Sequence, residues 1–262
     1  KKDFVMQKAI VTGPLGEKVE AAYIIADRET AIIEMSAAAG LTLVPEDARN
    51  PMYTTTYGVG QMINHALKQG CKHFIIGIGG SATNDCGIGM LQALGFDILN
   101  NDLKNVEYGA KGLKNVRTIS AENVSPKLWK CDFTIACDVD NPLVGERGCS
   151  KIFSPQKGAT PDMAEHMDEW MEHFADIVEA HFQDNYVDDK QSDGSHNTSI
   201  TKVTDGENIT KINHQQPYNR YTPGAGAASG MGYAFLMFLN AKLMSGADIV
   251  ISQTGLENYI KK

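Results

Sequence analysis

The sequence lacks the features that would place it on a nucleic acid, across a membrane or in an oxidising compartment. Basic residues are not concentrated anywhere: 24 Lys and Arg stand against 32 Asp and Glu, giving a net charge of −8. Neither a polyanion-binding groove nor contact with an anionic membrane surface is therefore expected. No apolar run approaches the roughly 20 residues that span a bilayer, and no secretory leader is expected. Cysteines number only five (Cys71, Cys86, Cys131, Cys137 and Cys149), none in CxxC spacing. The odd count argues against a disulfide framework and for reduced thiols in the cytoplasm. HExxH, GxSxG and GxxxxGK[ST] are all missing, and no tight His/acid cluster replaces them. A zinc site, a serine-hydrolase elbow and a P-loop cradle thus have no support.

What is present is an ordinary globular composition over 262 residues, 42% hydrophobic and 21% charged, enough for a large core. Apolar runs at 5–11 and 19–25 flank the turn Gly13-Pro14-Leu15-Gly16, and a third covers 31–35. So short a first connection predicts a hairpin or meander rather than a parallel unit. Val59, Met62, Ile63, Ala66 and Leu67 recur at helical spacing, predicting a helix over 57–68 that Gly70 stops. Further on, a short strand is expected at 115–119, a core strand at 133–136, and a helix over 162–182 with Thr160 as N-cap and Pro161 at N1. The methionines and aromatics on one face of that helix read as core packing. Residues 183–222 turn polar and predict an excursion outside the core, with SITKV and NITKI as an exposed hairpin. A helix over about 228–244 and a strand over 248–252 complete the pattern. The expected class is α/β, a mixed sheet with flanking helices, in one domain over 1–262.

The chain is organised around Phe74–Gly95. An apolar strand breaks at Gly77, Gly79 and Gly80, passes through Ser81, Thr83, Asn84 and Asp85, and enters an apolar helix at Ile88. A strand turning through glycines into a helix presents N–H groups to an anion, and Asp85 adds a carboxylate for a proton or a cation. The alternative is a tight crossover in which the glycines supply only conformation and Ser81 or Asp85 only a cap. Gly77–Ala82 also fits GxGxxA, with Asp97 about 20 residues on, the outline of an NAD-binding fingerprint. Three other polar segments interrupt apolar elements. Asp138, Asp140 and Asn141 follow a core strand, where either acid is placed to bind Mg²⁺ or act as a base, or all three merely cap a turn. Gln156 and Lys157 precede the long helix, Lys157 as a phosphate ligand or as a solvated loop lysine. Gly224 and Gly226 lie in a small-residue run that either admits a ligand to the backbone or packs a helix tightly.

Together these segments resemble the bacterial glycerate kinase family of the glycerate 2-kinase type. The resemblance rests on VTGPLG (11–16), EMSAAAGL (34–41), NPMYTTTYGVG (50–60), GIGGSATND (77–85), ACDVDNPLVG (136–145), PQKGATP (155–161) and PGAGAASGMG (223–232), in the family's order. It implies ATP- and Mg²⁺-dependent phosphorylation of D-glycerate, giving 2-phosphoglycerate, in the cleft of a two-domain α/β fold. Segments of that family before and after the matched blocks are not found, so the chain is expected to be its inserted domain, inactive without the remaining domain of the parent kinase. On these positions Asp85, Asp138 and Lys157 are expected to be catalytic, and Asp138 and Asp140 to hold Mg²⁺. Gly79, Gly80, Ser81, Thr83, Asn84, Asn141, Gln156, Gly224 and Gly226 are expected to bind substrate or phosphate. A module that binds glycerate or phosphate without turnover is the competing expectation. Two departures from the family pattern stand out: Cys86, where glycine is usual, and the length of the 183–222 segment.

Overall fold

The computed structural model describes residues 3–188 and 218–254. Strands β1 (Phe4–Thr12) and β2 (Lys18–Ala26) form the expected antiparallel hairpin, and β3 (Thr30–Glu34) pairs antiparallel with β2. The chain then crosses through the short helix α1 (Ser36–Ala39) and α2 (Tyr57–Lys68) into β4 (His73–Gly77), which lies parallel to β3. Helix α3 (Ile88–Leu94) follows, then a small two-stranded sheet of β5 (Asp97–Leu99) and β6 (Thr118–Ser120), with α4 (Ala110–Leu113) between them. Strand β7 (Asp132–Ala136) returns to the main sheet parallel to β4. Helices α5 (Cys149–Phe153), α6 (Pro161–Asp188) and α7 (Met231–Leu239), strand β8 (Lys242–Met244) and α8 (Gly246–Thr254) complete the order. The six-stranded sheet runs β1-β2-β3-β4-β7-β8, antiparallel at one end and parallel from β3 onward. This is a mixed α/β fold with a mostly parallel sheet and flanking helices.

Side-chain alternation gives the sheet two unlike faces. Tyr23, Ile25, Ile33, Phe74, Ile76, Phe133 and Ile135 point to one side and are buried. Phe74 stacks on Phe133 with ring centroids 4.8 Å apart, and Phe133 meets Phe235 of α7. On the opposite face Met6, Ile24, Ile32, Ile75 and Thr134 form one continuous row across five strands. That row is half-buried to exposed among the described residues. No helix among them is long and apolar enough to cross a membrane.

Three expectations are corrected. The helix expected over 228–244 is only α7, because Ala228, Ser229 and Gly230 are left-handed before it and Asn240, at φ 48°, ends it. The chain then extends as β8 beside β7. The strand expected over 248–252 is helix α8. Ser245 accepts from the Asp248 N–H at 3.1 Å and donates to the Asp248 carboxylate at 2.8 Å, a cap that overrides the β-branched run. The excursion expected over 183–222 fails at its two ends, and 189–217 lie outside the described residues. Residues 183–188 contain no Gly or Pro and continue α6. At the other end, Arg220 is buried and clamped to α6 through Asp176 at 2.6 Å and Glu179 at 3.0 Å. The hairpin expected in SITKV and NITKI lies outside the described residues.

Helices α2 and α3 approach closely because Gly60 faces the Met90 carbonyl and Ala93, leaving no room for a β-carbon. Gly60→Val is expected to force them apart and lower the unfolding free energy by about 2–3 kcal/mol, the cost of overpacking a close contact. Urea denaturation measures it as a lower midpoint at unchanged slope.

Candidate functional site

Gly77 and Ala136 are register partners at the carboxyl ends of β4 and β7, so the loops leaving these two parallel strands open at the same edge. That edge is where open α/β sheets collect ligands. A cleft of about 270 Å³ lies there. One wall is Gly79, Gly80 and Ser81, the other Cys137, Asp138 and Val139; Phe153, Gln156 and Lys157 come from the chain before α6, and Ala227 and Ala228 from the chain before α7. The glycine wall is held from behind: the Leu41 N–H donates to the Gly80 carbonyl at 2.8 Å and the Ala82 N–H to the Ala39 carbonyl at 2.9 Å. Gly80 turns the chain at φ +73°, a conformation open to glycine at little cost. A β-carbon at Gly79 would meet nothing within 4 Å, so the backbone there faces open space.

The side of the cleft toward the core is built around Lys157. It sits in the short 3-10 turn Pro155–Lys157 and is 2% exposed, far from the solvated lysine that its polar surroundings in sequence allow. Its Nζ donates to Ser81 Oγ at 2.6 Å, Ser229 Oγ at 2.6 Å and the Thr83 carbonyl at 2.7 Å. All three partners are uncharged. Burial therefore pulls the amine down to about 7, and the more distant Cys149 and Asp85 only partly restore it. Ser229 was not among the expected residues. The available signal is that it is the lone polar side chain in PGAGAASGMG. Ala228 and Ser229, at φ 49° and 54°, form with Gly230 a left-handed run that aims the hydroxyl at Lys157. Two non-glycine residues held there cost on the order of 1 kcal/mol each.

The other expected residues divide. Gly79, Gly80, Ser81, Asp138, Gln156 and Lys157 come together in the cleft; Thr83, Asn84, Asp85, Asp140, Asn141, Gly224 and Gly226 do not line it. Asp85 is 1% exposed and accepts from the Thr56 N–H at 2.9 Å, the Thr56 hydroxyl at 2.8 Å and the Gly87 N–H at 3.2 Å. Burial pushes its carboxyl up and these donors hold it back, so it joins the starts of α2 and α3 rather than facing a ligand. Asn84 is buried against Ser150 and Met167. Thr83 contributes its carbonyl, not its hydroxyl, to Lys157. Gly224 and Gly226 are close-packing positions, against Leu243 and Cys137 and against the Pro142 carbonyl. Asp97 lies in β5, bonded by Asn123 at 2.7 Å and outside the cleft lining, which leaves the NAD-like fingerprint without its acid.

The acids after β7 also part company. Asp140 pairs with Arg147 at 2.7 Å and Asn141 donates to the Arg147 carbonyl at 2.9 Å, so both fasten their own loop. Asp138 is exposed at the cleft, with one carboxylate oxygen accepting the Gly246 N–H at 3.0 Å. Among the described residues no group of three or more His, Cys, Asp or Glu is placed to hold a metal ion. A single free carboxylate fits Mg²⁺ carried in on a nucleotide, which keeps its waters and phosphate ligands, better than a resident ion.

The sequence matches the model of the glycerate kinase family over residues 2–262. It is 42% identical to a glycerate kinase of Haemophilus influenzae over 252 residues, covering 96% of this chain and 58% of that protein. It is also 42% identical to the glycerate 2-kinase of Escherichia coli over 253 residues, with the same shares. The fold superposes on a crystal structure of a glycerate kinase 2 candidate from Salmonella typhimurium LT2 with a TM-score of 0.82 at 37% identity, covering 97% of this chain and 60% of that one. The chain thus spans less than two thirds of the length of these relatives.

The caged lysine has a signature in stability. Below about pH 7 folded and unfolded chains both carry the Lys157 proton, and the folded state bears the cost of a buried charge. Between about 7 and the ordinary lysine value of 10.5 only the unfolded chain holds it, so stability rises with pH across that window. In denaturant titrations at pH 6 and pH 9, the wild type should gain about 3 kcal/mol more than Lys157→Met. A pH-independent difference between the two would mean that Lys157 stays charged.

Proposed function

This chain belongs to the glycerate kinase family, and on that premise we propose that its cleft receives D-glycerate for phosphorylation by ATP at the 2-hydroxyl. The observation carrying this reading is the convergence of the glycine wall, Ser81, Gln156, Lys157 and Asp138 on one small cavity at the carboxyl ends of β4 and β7. Phosphoryl transfer asks mainly for positioning, charge neutralisation and a proton acceptor, and these groups are of the right kinds. The exposed backbone of Gly79 and Gly80, with Ser81 and Gln156, suits the carboxylate and hydroxyls of a short hydroxy acid. Asp138 would hold the Mg²⁺ that accompanies ATP, which when bound neutralises phosphate charge. The 2-hydroxyl is chosen because the Escherichia coli relative is a glycerate 2-kinase.

We further propose that residues 1–262 act as one unit of a two-domain cytoplasmic kinase. The cleft is wide enough for glycerate but is lined on few sides, and by itself the chain is expected to bind substrate with little turnover.

Calorimetric titration with D-glycerate and then with Mg·ATP tests the assignment. D-Glycerate is expected to give a heat of binding, weakened about tenfold in Gln156→Ala through loss of one hydrogen bond. Binding of Mg·ATP alone would reverse the assignment of the cleft. Absence of both heats from a folded chain would remove it.

A further inference from the structure

Lys157 has an environment that anion binding does not explain. A lysine that recruits an anion leaves its ammonium facing that anion, but here the described structure spends three contacts on Ser81, Ser229 and the Thr83 carbonyl. The carbonyl can only accept. The two hydroxyls can each donate or accept by turning about their C–O bonds. An ammonium fills the cage by donating to all three. A neutral amine fills it equally well, donating to the carbonyl and one hydroxyl while its lone pair accepts from the other. The cage therefore satisfies both protonation states without moving a heavy atom. Of its two hydroxyls, Ser81 lines the cleft, whereas Ser229 does not.

We propose that Ser81, Lys157 and Ser229 form a proton relay in which Ser81 takes the proton of the substrate hydroxyl as its own proton passes to Lys157. The proposal rests on the assignment of a glycerate hydroxyl to this cleft. As the hydroxyl oxygen bonds to the γ-phosphorus of ATP, the bond from that phosphorus to its bridging oxygen breaks and ADP leaves. The substrate proton moves to Ser81 Oγ and the Ser81 proton moves to Lys157 Nζ along their hydrogen bond, so the new N–H points back at Ser81 while the Thr83 carbonyl and Ser229 go on accepting the other two. The charged and titratable groups facing the amine are Cys149 from α5, Asp85 from the turn before α3, and Asp138 across the cleft. Cys149 and Asp85 favour the ammonium without bonding to it. Asp138, the competing proton acceptor, already holds the Gly246 N–H and is the group left for a cation.

A relay of this kind makes Ser81 nucleophilic toward phosphorus reagents, whether or not the chain turns over ATP. Diisopropyl fluorophosphate would form an Oγ–P bond at Ser81, release fluoride and leave the proton on Lys157. Peptide mass spectrometry should locate the adduct on Ser81, with a rate that falls on acidification through about pH 7, where Lys157 gains its proton. Lys157→Met is expected to slow labelling at least about 100-fold. If that variant does not fold, Ser229→Ala serves. It removes an acceptor that the ammonium needs more than the amine, so the acid limb should move to lower pH. D-Glycerate is expected to slow labelling of the wild type. An unlabelled Ser81, an unchanged rate in Lys157→Met or an unmoved limb in Ser229→Ala would overturn the relay. D-Glycerate heat without labelling would remove the relay and leave the substrate assignment standing. Labelling without D-glycerate heat would overturn that assignment, and with it the relay's substrate.

Discussion

The carboxylate of Asp85, shut away from water, is shared between the starts of two helices, and the site hangs from it. Its acceptors take the Thr56 N–H and hydroxyl ahead of α2 and the Gly87 N–H ahead of α3, and the Thr56 hydroxyl in turn accepts the Met90 N–H. An acceptor of this kind at helix starts is doubly favoured, by otherwise orphaned donors and by the helix dipoles. With both helices pinned at one atom pair, the loop between β4 and α3 has little freedom. Ser81 and Thr83 are delivered to one side of it, where Lys157 bonds to both.

That delivery explains an arrangement otherwise costly in three places. A lysine is buried, two non-glycine residues take left-handed conformations before α7, and Cys86 does the same at φ 51°. Cys86 stands where the family that the chain resembles usually has glycine, the residue for which this conformation is nearly free. The thiol is accommodated by burial beside Gly230, to whose carbonyl it lies at 3.7 Å. Such concentrations of strain are held by surrounding structure that over-determines them, and here the pinned helix starts and the six-stranded sheet are that structure.

Much of the fold is legible in the chain because local signals agree there with tertiary ones. The alternation in 5–11 and 19–25 sets the hairpin, the helical spacing in 57–68 sets α2, and Thr160 and Pro161 set the start of α6. Two of the errors fall where a single side chain outvoted a longer pattern. Ser245 converts a β-branched run into α8, and Asn240 cuts a continuous apolar stretch into α7 and β8. The cleft's location after β4 and β7 could be read, since glycines and acids after apolar strands mark it. The division of labour could not. Asp85 and Asp138 look alike in sequence, each a carboxylate in a polar loop, and only packing makes one a buried brace and the other an exposed lip. Lys157 is the extreme case, because its burial depends on three groups far from it along the chain.

Those distances shape how the site comes into being. The contacts of Lys157 close chain separations of 76, 74 and 72 residues. No local segment can form such a cage ahead of the rest, and each closure bears a loop entropy repaid only when the sheet and helices are already in place. The site is therefore a late product of folding and an early casualty of unfolding, lost as soon as any of its three strands of chain lets go. A small molecule that fills the cleft consequently holds together regions that meet nowhere else in sequence, and its binding energy appears as stability of the whole domain.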